Sequence, residues 1–206
     1  MRTLLLLATS VAFAQSSLET ELVKAAEAGN AAKVRQLLDA GANPALPKSF
    51  SALEAAAAGA YPEVLKEMLR KPANLNARDS AGRTVLHVVG ETAAEEARDN
   101  IARVTRMLIA NGADVNARDR VYGNTLLHHV PDADTAKVLI DAGARLNILN
   151  HQGQTPLMLT LDEEVARMLV NAGADISLVD KNGKTALDMA KELQLTEKIA
   201  VLTQRK

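Results

Sequence analysis

Four histidines, His87, His128, His129 and His151, are the side chains best equipped for chemistry in this chain. An imidazole can ligate a metal or carry a proton near neutral pH. Their spacing argues against a metal centre. His128 and His129 are adjacent, no H-x-x-x-H pair occurs, and there is no cysteine at all, whereas zinc sites are built from such spaced ligands. "GKT" at 183–185 has the ending of a phosphate-binding loop, but Leu178 stands where that loop needs its first glycine. Neither a G-x-S-x-G nucleophile elbow nor an H-E-x-x-H motif is present. Catalysis is therefore unlooked-for and no cofactor is expected. The rival reading is an enzyme or metal-binding accessory protein using the region of His128, His129 and His151.

The elements that must hold these residues recur along the chain. An opening element reads "SALE" at 51, "TVLH" at 84, "TLLH" at 125, "TPLM" at 155 and "TALD" at 185. A closing element reads "DAGANP" at 39–44, "KPANLN" at 71–76, "NGADVN" at 111–116, "DAGARLN" at 141–147 and "NAGADIS" at 171–177. Turn signals, "DSAG", "DRVYG", "NHQG" and "DKNG", precede the last four openings. Each piece has a physical job. Thr or Ser can cap a helix through its side-chain oxygen, and Pro156 suits the first helical position. The glycine of the closing element fits the left-handed residue that ends a helix. Each unit is thus a turn, a helix, a short loop and a second helix. Its apolar faces need the neighbouring units to cover them. Aromatics make up only 2% of the chain, so alanine and leucine must fill that core.

These residues resemble the ankyrin-repeat family, whose T-P-L-H, G-A-D-V-N and D-x-x-G signatures they match over roughly 17–206. The resemblance implies an all-α repeat solenoid of helix pairs joined by β-hairpin turns, with a concave face that binds other proteins. The units are a helix pair at 17–44, repeats at about 45–77, 78–117, 118–148 and 149–178, and a capping repeat at 179–206. His87 and His128 occupy the family's histidine position, which ties neighbouring turns by hydrogen bonds. In the capping repeat Lys191, Glu192 and Lys198 are expected to face outwards.

Two departures stand out. Pro72 replaces the helix-ending glycine and cannot adopt a positive φ. The openings are spaced 33, 41, 30 and 30 residues apart, so the second full repeat is long and the next two are short. Its extra residues fall in "GETAAEEARDN". A capping box of Thr92 with Glu95 and a stripe through Ala97, Ile101, Val104 and Leu108 predict one helix over about 93–110. Its projecting end would carry Glu95, Glu96 and Asp99. A long unit beside short ones should leave a ledge. Asp132 and Asp162 are placed to cap the second helices of the short units.

Hairpin tips are the positions least constrained by stacking. The candidate partner-binding residues are Ser80, Arg83, Arg118, Arg120, Tyr122, Asn124, His151, Gln152, Gln154, Lys181 and Lys184. Tyr and Arg are enriched at binding hot spots, and the cationic tips point to an acidic surface on an unidentified protein partner. Tyr61 is expected to pack within its loop. A net charge of −1 gives no basic excess for nucleic acid.

The leader "MRTLLLLATSVAFA" has a positive start, an apolar run and an A-x-A cleavage pattern at Ala12–Ala14. The run is about half the ~20 residues that span a membrane. A signal peptide over 1–14 is expected, delivering a single domain, 15–206, to the periplasm or the outside as a monomer with no lasting membrane insertion. This combination resembles exported bacterial ankyrin-repeat proteins, which the resemblance associates with shielding another exported protein or neutralising a toxin. A structural spacer without a partner is the third reading.

Overall fold

The computed structural model describes residues 17–44 and 52–203, with Glu96 by its backbone alone. The leader, the opening at Ser51 and residues 204–206 lie outside the described residues. In chain order the helices are α1 (17–27), α2 (Ala31–Asp39), α3 (Ala52–Ala58), α4 (Pro62–Met68), α5 (Ile101–Ala110), α6 (Ala133–Asp141), α7 (Pro156–Leu159), α8 (Glu163–Asn171), α9 (Ala186–Glu192) and α10 (Thr196–Thr203). Three 3-10 segments complete them: Val85–Val88, Glu95–Asn100 and Leu126–His129. No β-strand occurs among the described residues.

The helices stack as two rows. In the inner row α3 packs on Val85–Val88, Leu126–His129 on α7, and α7 on α9. In the outer row α2, α4, α5, α6, α8 and α10 follow one another. Alanines make close approach possible: Ala52, Ala55, Ala56, Ala57 and Ala58 of α3 are all buried. Leu86, Leu127 and Leu157, the third residues of successive openings, are each 1% exposed. Leu187, the third residue of the last opening, is only partly buried. It sits on α9, and no described unit covers the far side of that helix.

Four of the expected caps form where the spacing places them. Thr155 Oγ1 accepts from the Met158 N–H at 3.3 Å, and Thr185 Oγ1 from the Asp188 N–H at 3.2 Å. Asp132 and Asp162 accept from the N–H groups of Thr135 and Val165. Gly112, Gly143 and Gly173 end their helices with positive φ, letting the next alanine N–H turn back, as from Ala113 to the Leu108 carbonyl. At Pro72 that geometry is closed, and α4 stops through the Arg70 and Lys71 N–H groups on Glu67 and Met68. Glu67 is buried there between Arg35 and Arg70. Hydrogen bonds from Arg35 and then Arg70 hold its carboxyl down at about 2.

Three expectations are corrected. The first helices of the second and third full repeats are single 3-10 turns, because Val89 and Val130 take extended ψ values of 122° and 129°. Pro131 enforces this at Val130, since a residue before proline is driven from the helical region. The segment 93–110 is not one helix. It begins as the 3-10 turn Glu95–Asn100 behind Ala94, which makes no side-chain cap bond. The position before that turn is Ala94 and not Thr92, and the Glu95 half of the expected box cannot form because the Thr92 N–H it would accept is held by the Ala58 carbonyl, as that of Gly90 is by Ala57. Lastly, Lys198 points inwards. It is 1% exposed and its ammonium donates to the carbonyls of Met158 and Thr160 at 3.2 and 2.6 Å. It thereby closes the C-terminal end of α7 from the next unit, and burial pulls its pKa down to about 8.

Candidate partner-binding face

Each hairpin is a tight turn closed by its own backbone: Asp79 to Arg83, Asp119 to Asn124, Asn150 to Gln154 and Asp180 to Lys184. Neighbouring tips are then fastened to each other. The Arg120 N–H donates to Ala81, His151 to Tyr122 and Lys181 to Gln152, at 2.9, 2.7 and 3.0 Å. A second rung runs below them. Asn76, Asn116 and Asn147 accept through their side chains from the N–H groups of Asp114, Arg145 and Asp175. A third runs through the histidines. His87 Nδ1 accepts from the Thr84 N–H, and its Nε2 meets the Asn124 carbonyl at 3.1 Å. His128 repeats this with Thr125 below and Ile148 and Gln154 above.

This places the rings electrostatically. Burial lowers the pKa of His87, and takes that of His128 to about 4. A neutral ring is required, because Nδ1 must accept while Nε2 donates. Burial would raise the Asp119 carboxyl, but N–H groups of Tyr122, Asn124 and Gly123 outweigh it and hold the pKa below its ordinary value. The turn that displays Tyr122 is thus organised by one ionised side chain.

The eleven candidates divide by position. Ser80, Arg120, Tyr122, His151, Gln152 and Lys181 are exposed at the tips. Arg83, Asn124, Gln154 and Lys184 all precede the capping threonine and are turned to internal work. Arg83 pairs with Asp79 and Glu91, and Lys184 with Glu192. Gln154 Oε1 accepts from Asn150. Asn124 was expected on the surface but is 4% exposed, accepting from Asn150 Nδ2 and meeting His129 Nε2 at 2.6 Å. The extra residue in its hairpin lets the turn fold over it. Arg118 is exposed, yet its guanidinium is committed to the carbonyls of Gly123 and Leu149. Arg78 does the same one unit earlier, on Gly82 and Arg118.

Side chains also stack from tip to tip. Gly82 and Gly123 have φ of 74° and 71°, and a Cβ on either would run into Arg120 or His151. His151 lies over Gly123 with Nδ1 on the Val121 carbonyl. The histidines are therefore parted: His128 is buried, His129 bonds Asn124 and His151 caps a tip. No group of three or more His, Cys, Asp or Glu able to hold a metal occurs among the described residues. Tyr61 packs as expected, its ring against Gly29 and Gly59.

Beneath the Tyr122 tip lies a groove of ≈ 380 Å³ lined by Val89, Val121, Tyr122, Leu126 and Pro131, among others. Val121 and Tyr122 are 56% and 55% exposed. A second hollow of ≈ 400 Å³ adjoins it through Gly90, Glu91 and Pro131, and carries Asp99, Asp132 and Asp134. It lies where a ledge was expected, and its acid comes from both units, Asp99 from the long one and Asp132 and Asp134 from the short one. Glu95 points to solvent and pairs with Arg98. Val121, Pro131 and Asp134 line these hollows and were not among the sequence candidates. An apolar side chain inside a turn signal was the available clue for Val121.

A family model described as ankyrin repeats, three copies, matches residues 90–180 and again 130–205. The Neurogenic locus Notch protein of Drosophila melanogaster is 42% identical over 66 residues, 31% of this chain and 2% of that protein. Ankyrin repeat protein FPV031 of fowlpox virus is 29% identical over 100 residues, 47% of this chain and 28% of its own length. The chain thus spans well under half of these relatives. Among solved structures, a chain in the complex of the Bd0816 predatory endopeptidase from Bdellovibrio bacteriovorus with immunity protein Bd3460 superposes with a TM-score of 0.74. It is 29% identical, and the match covers 90% of this chain and 98% of that one. The matched segments, the repeated caps and the laddered hairpins agree: this chain belongs to the ankyrin-repeat family.

Proposed function

We propose that this chain is a non-enzymatic binding module of the bacterial cell envelope that docks on another exported protein and shields or inhibits it. One observation carries the binding role. Arg120, Val121 and Tyr122 project from a hairpin fastened to both neighbours, beside an open apolar groove. Side chains displayed on a fixed backbone lose little further freedom on binding. The cationic tips Arg120 and Lys181 favour an acidic patch on the partner. A helical-repeat neighbour inside an endopeptidase–immunity complex supports inhibition of a hydrolase as the form the shielding takes.

The test is capture of the partner by crosslinking in the source organism, then titration with Arg120→Ala/Tyr122→Ala. Loss of at least ~2 kcal/mol in affinity is expected, the scale of a hot-spot truncation. Full affinity in the double variant would move the interface elsewhere. Envelope location rests on the leader and is tested separately. Mass spectrometry of the native protein should find Gln15 at the mature N-terminus, and retained Met1 would remove that part of the reading.

A further inference from the structure

We infer that the trench between the second and third full repeats takes an extended segment of the partner in which a bulky apolar side chain is followed by a lysine or arginine. This deepens the binding-module reading and rests on it.

The trench has two chemically different ends. At one end Val89, Val121, Leu126 and Pro131 surround the apolar groove, with the Tyr122 ring at its rim. At the other end stand Asp99, Asp132 and Asp134. Gly90, Glu91 and Pro131 line both, so the ends are continuous. The charges nearby do not cancel. Arg83 is shared between Asp79 and Glu91, and the lining cation Arg98 is spent on Glu95. Asp132 gives one oxygen to the Thr135 N–H. None of the three aspartates is in an ion pair among the described residues. Carboxylates beside an apolar wall attract a cation whose own segment excludes water from them.

The unequal loops create this arrangement. The chain turns away at Gly90, with φ of 78°, and runs through Glu95–Asn100 before α5. The next unit passes directly from Val130 through Pro131 to the Asp132 cap. The acid of the long unit and that of the short unit are thereby brought to face one gap. Occupancy by an acidic segment would place like charges together, so the tips and the trench read opposite signs on one partner.

Three fluorescein-labelled peptides titrated against the full chain by fluorescence anisotropy provide the test: GLFKRG, GLFEEG and GSSKRG. The apolar–basic peptide should bind at least ~10-fold more tightly than either control, the factor of one well-placed charge pair. Its preference over GLFEEG should fall to near unity in Asp99→Asn/Asp134→Asn, both exposed positions, while that over GSSKRG persists and the thermal melt is unchanged. Equal binding of the apolar–acidic peptide, no binding of any peptide, or full preference in the aspartate variant overturns the inference. Apolar–basic binding lost in Arg120→Ala/Tyr122→Ala but retained in the aspartate variant overturns it too, while leaving the binding module standing.

Discussion

The junction between the second and third full repeats and the junction that follows it are built from the same parts. Both have a tip-to-tip bond, an asparagine rung and a histidine or threonine cap at the foot of the inner row. They differ in one loop. Where the short third and fourth units meet, Asp132 and Asp162 cap α6 and α8 in register. Where the long unit meets a short one, residues 91–100 stand off and the trench opens. Stacking contacts hold the frame, and a change of loop length between two units makes a surface. Display here comes from mismatch and not from exotic residues.

The largest expected effect lies on the regular side. Leu157→Ala should cost about 2–5 kcal/mol, as buried leucine truncations do, because Leu157 is 1% exposed between units. Leu187→Ala should cost less than half of that, its side chain being only partly buried. Equal losses in chemical denaturation would erase the distinction between covered and uncovered units.

Acid should weaken the histidine rung next. The His128 pKa of about 4 lies below its ordinary 6.5, so between those values the unfolded chain binds the proton first. Stability is then fully present above pH 6.5 and is lost as pH falls towards 4, by on the order of 3 kcal/mol. His128→Gln should flatten that part of the profile. An unchanged slope would mean that the ring is not the group being titrated.

Removing 91–98 probes the mismatch itself. The deletion breaks the Thr92 bond to α3 and the Arg83–Glu91 pair, and it strips Ala93 and Ala97 from the core edge. A cost of about 1–3 kcal/mol with folding retained is expected, at about 1 kcal/mol per backbone bond and little for an exposed ion pair. Failure to fold would make the segment part of the core.

Thr135 gives a smaller effect of opposite sign. Its Oγ1 is buried without a partner, at a position that is Val104 in α5 and Val165 in α8. Thr135→Val should raise stability by about 1 kcal/mol, by relieving an unsatisfied hydroxyl in the same shape. A lower melting temperature would show that the hydroxyl has found a bond. The smallest effect belongs to the tip, where Arg120→Ala/Tyr122→Ala should stay within ~0.5 kcal/mol of the parent.

Much of this frame could be read before any coordinates. The capping threonines, the terminal glycines and the apolar triplets are local signals, each set by the backbone of a few residues. The unequal loop lengths were legible from spacing, but the projecting helix end expected from them is a 3-10 turn beside a hollow. Asn124 and Lys198 were not. Both are polar residues satisfied by a neighbouring unit, Asn124 by Asn150 and Lys198 by the end of α7. Partners 26 and 40 residues away leave no local pattern. The continuous helix over 93–110 was misjudged for a related reason, since α3 holds the Thr92 N–H that Glu95 would have accepted in a capping box. Apolar periodicity reports which face is covered; it does not report which backbone group a neighbour will claim.

On this reading the hairpin edge and the trench, and not the outer helices, meet the partner. Site-specific photo-crosslinking in the source organism tests it most directly, with benzoylphenylalanine placed at Tyr122 in one strain and at Lys137 on the exposed face of α6 in another. A discrete protein adduct is expected from position 122 and none from 137. An adduct from 137 alone would contradict it.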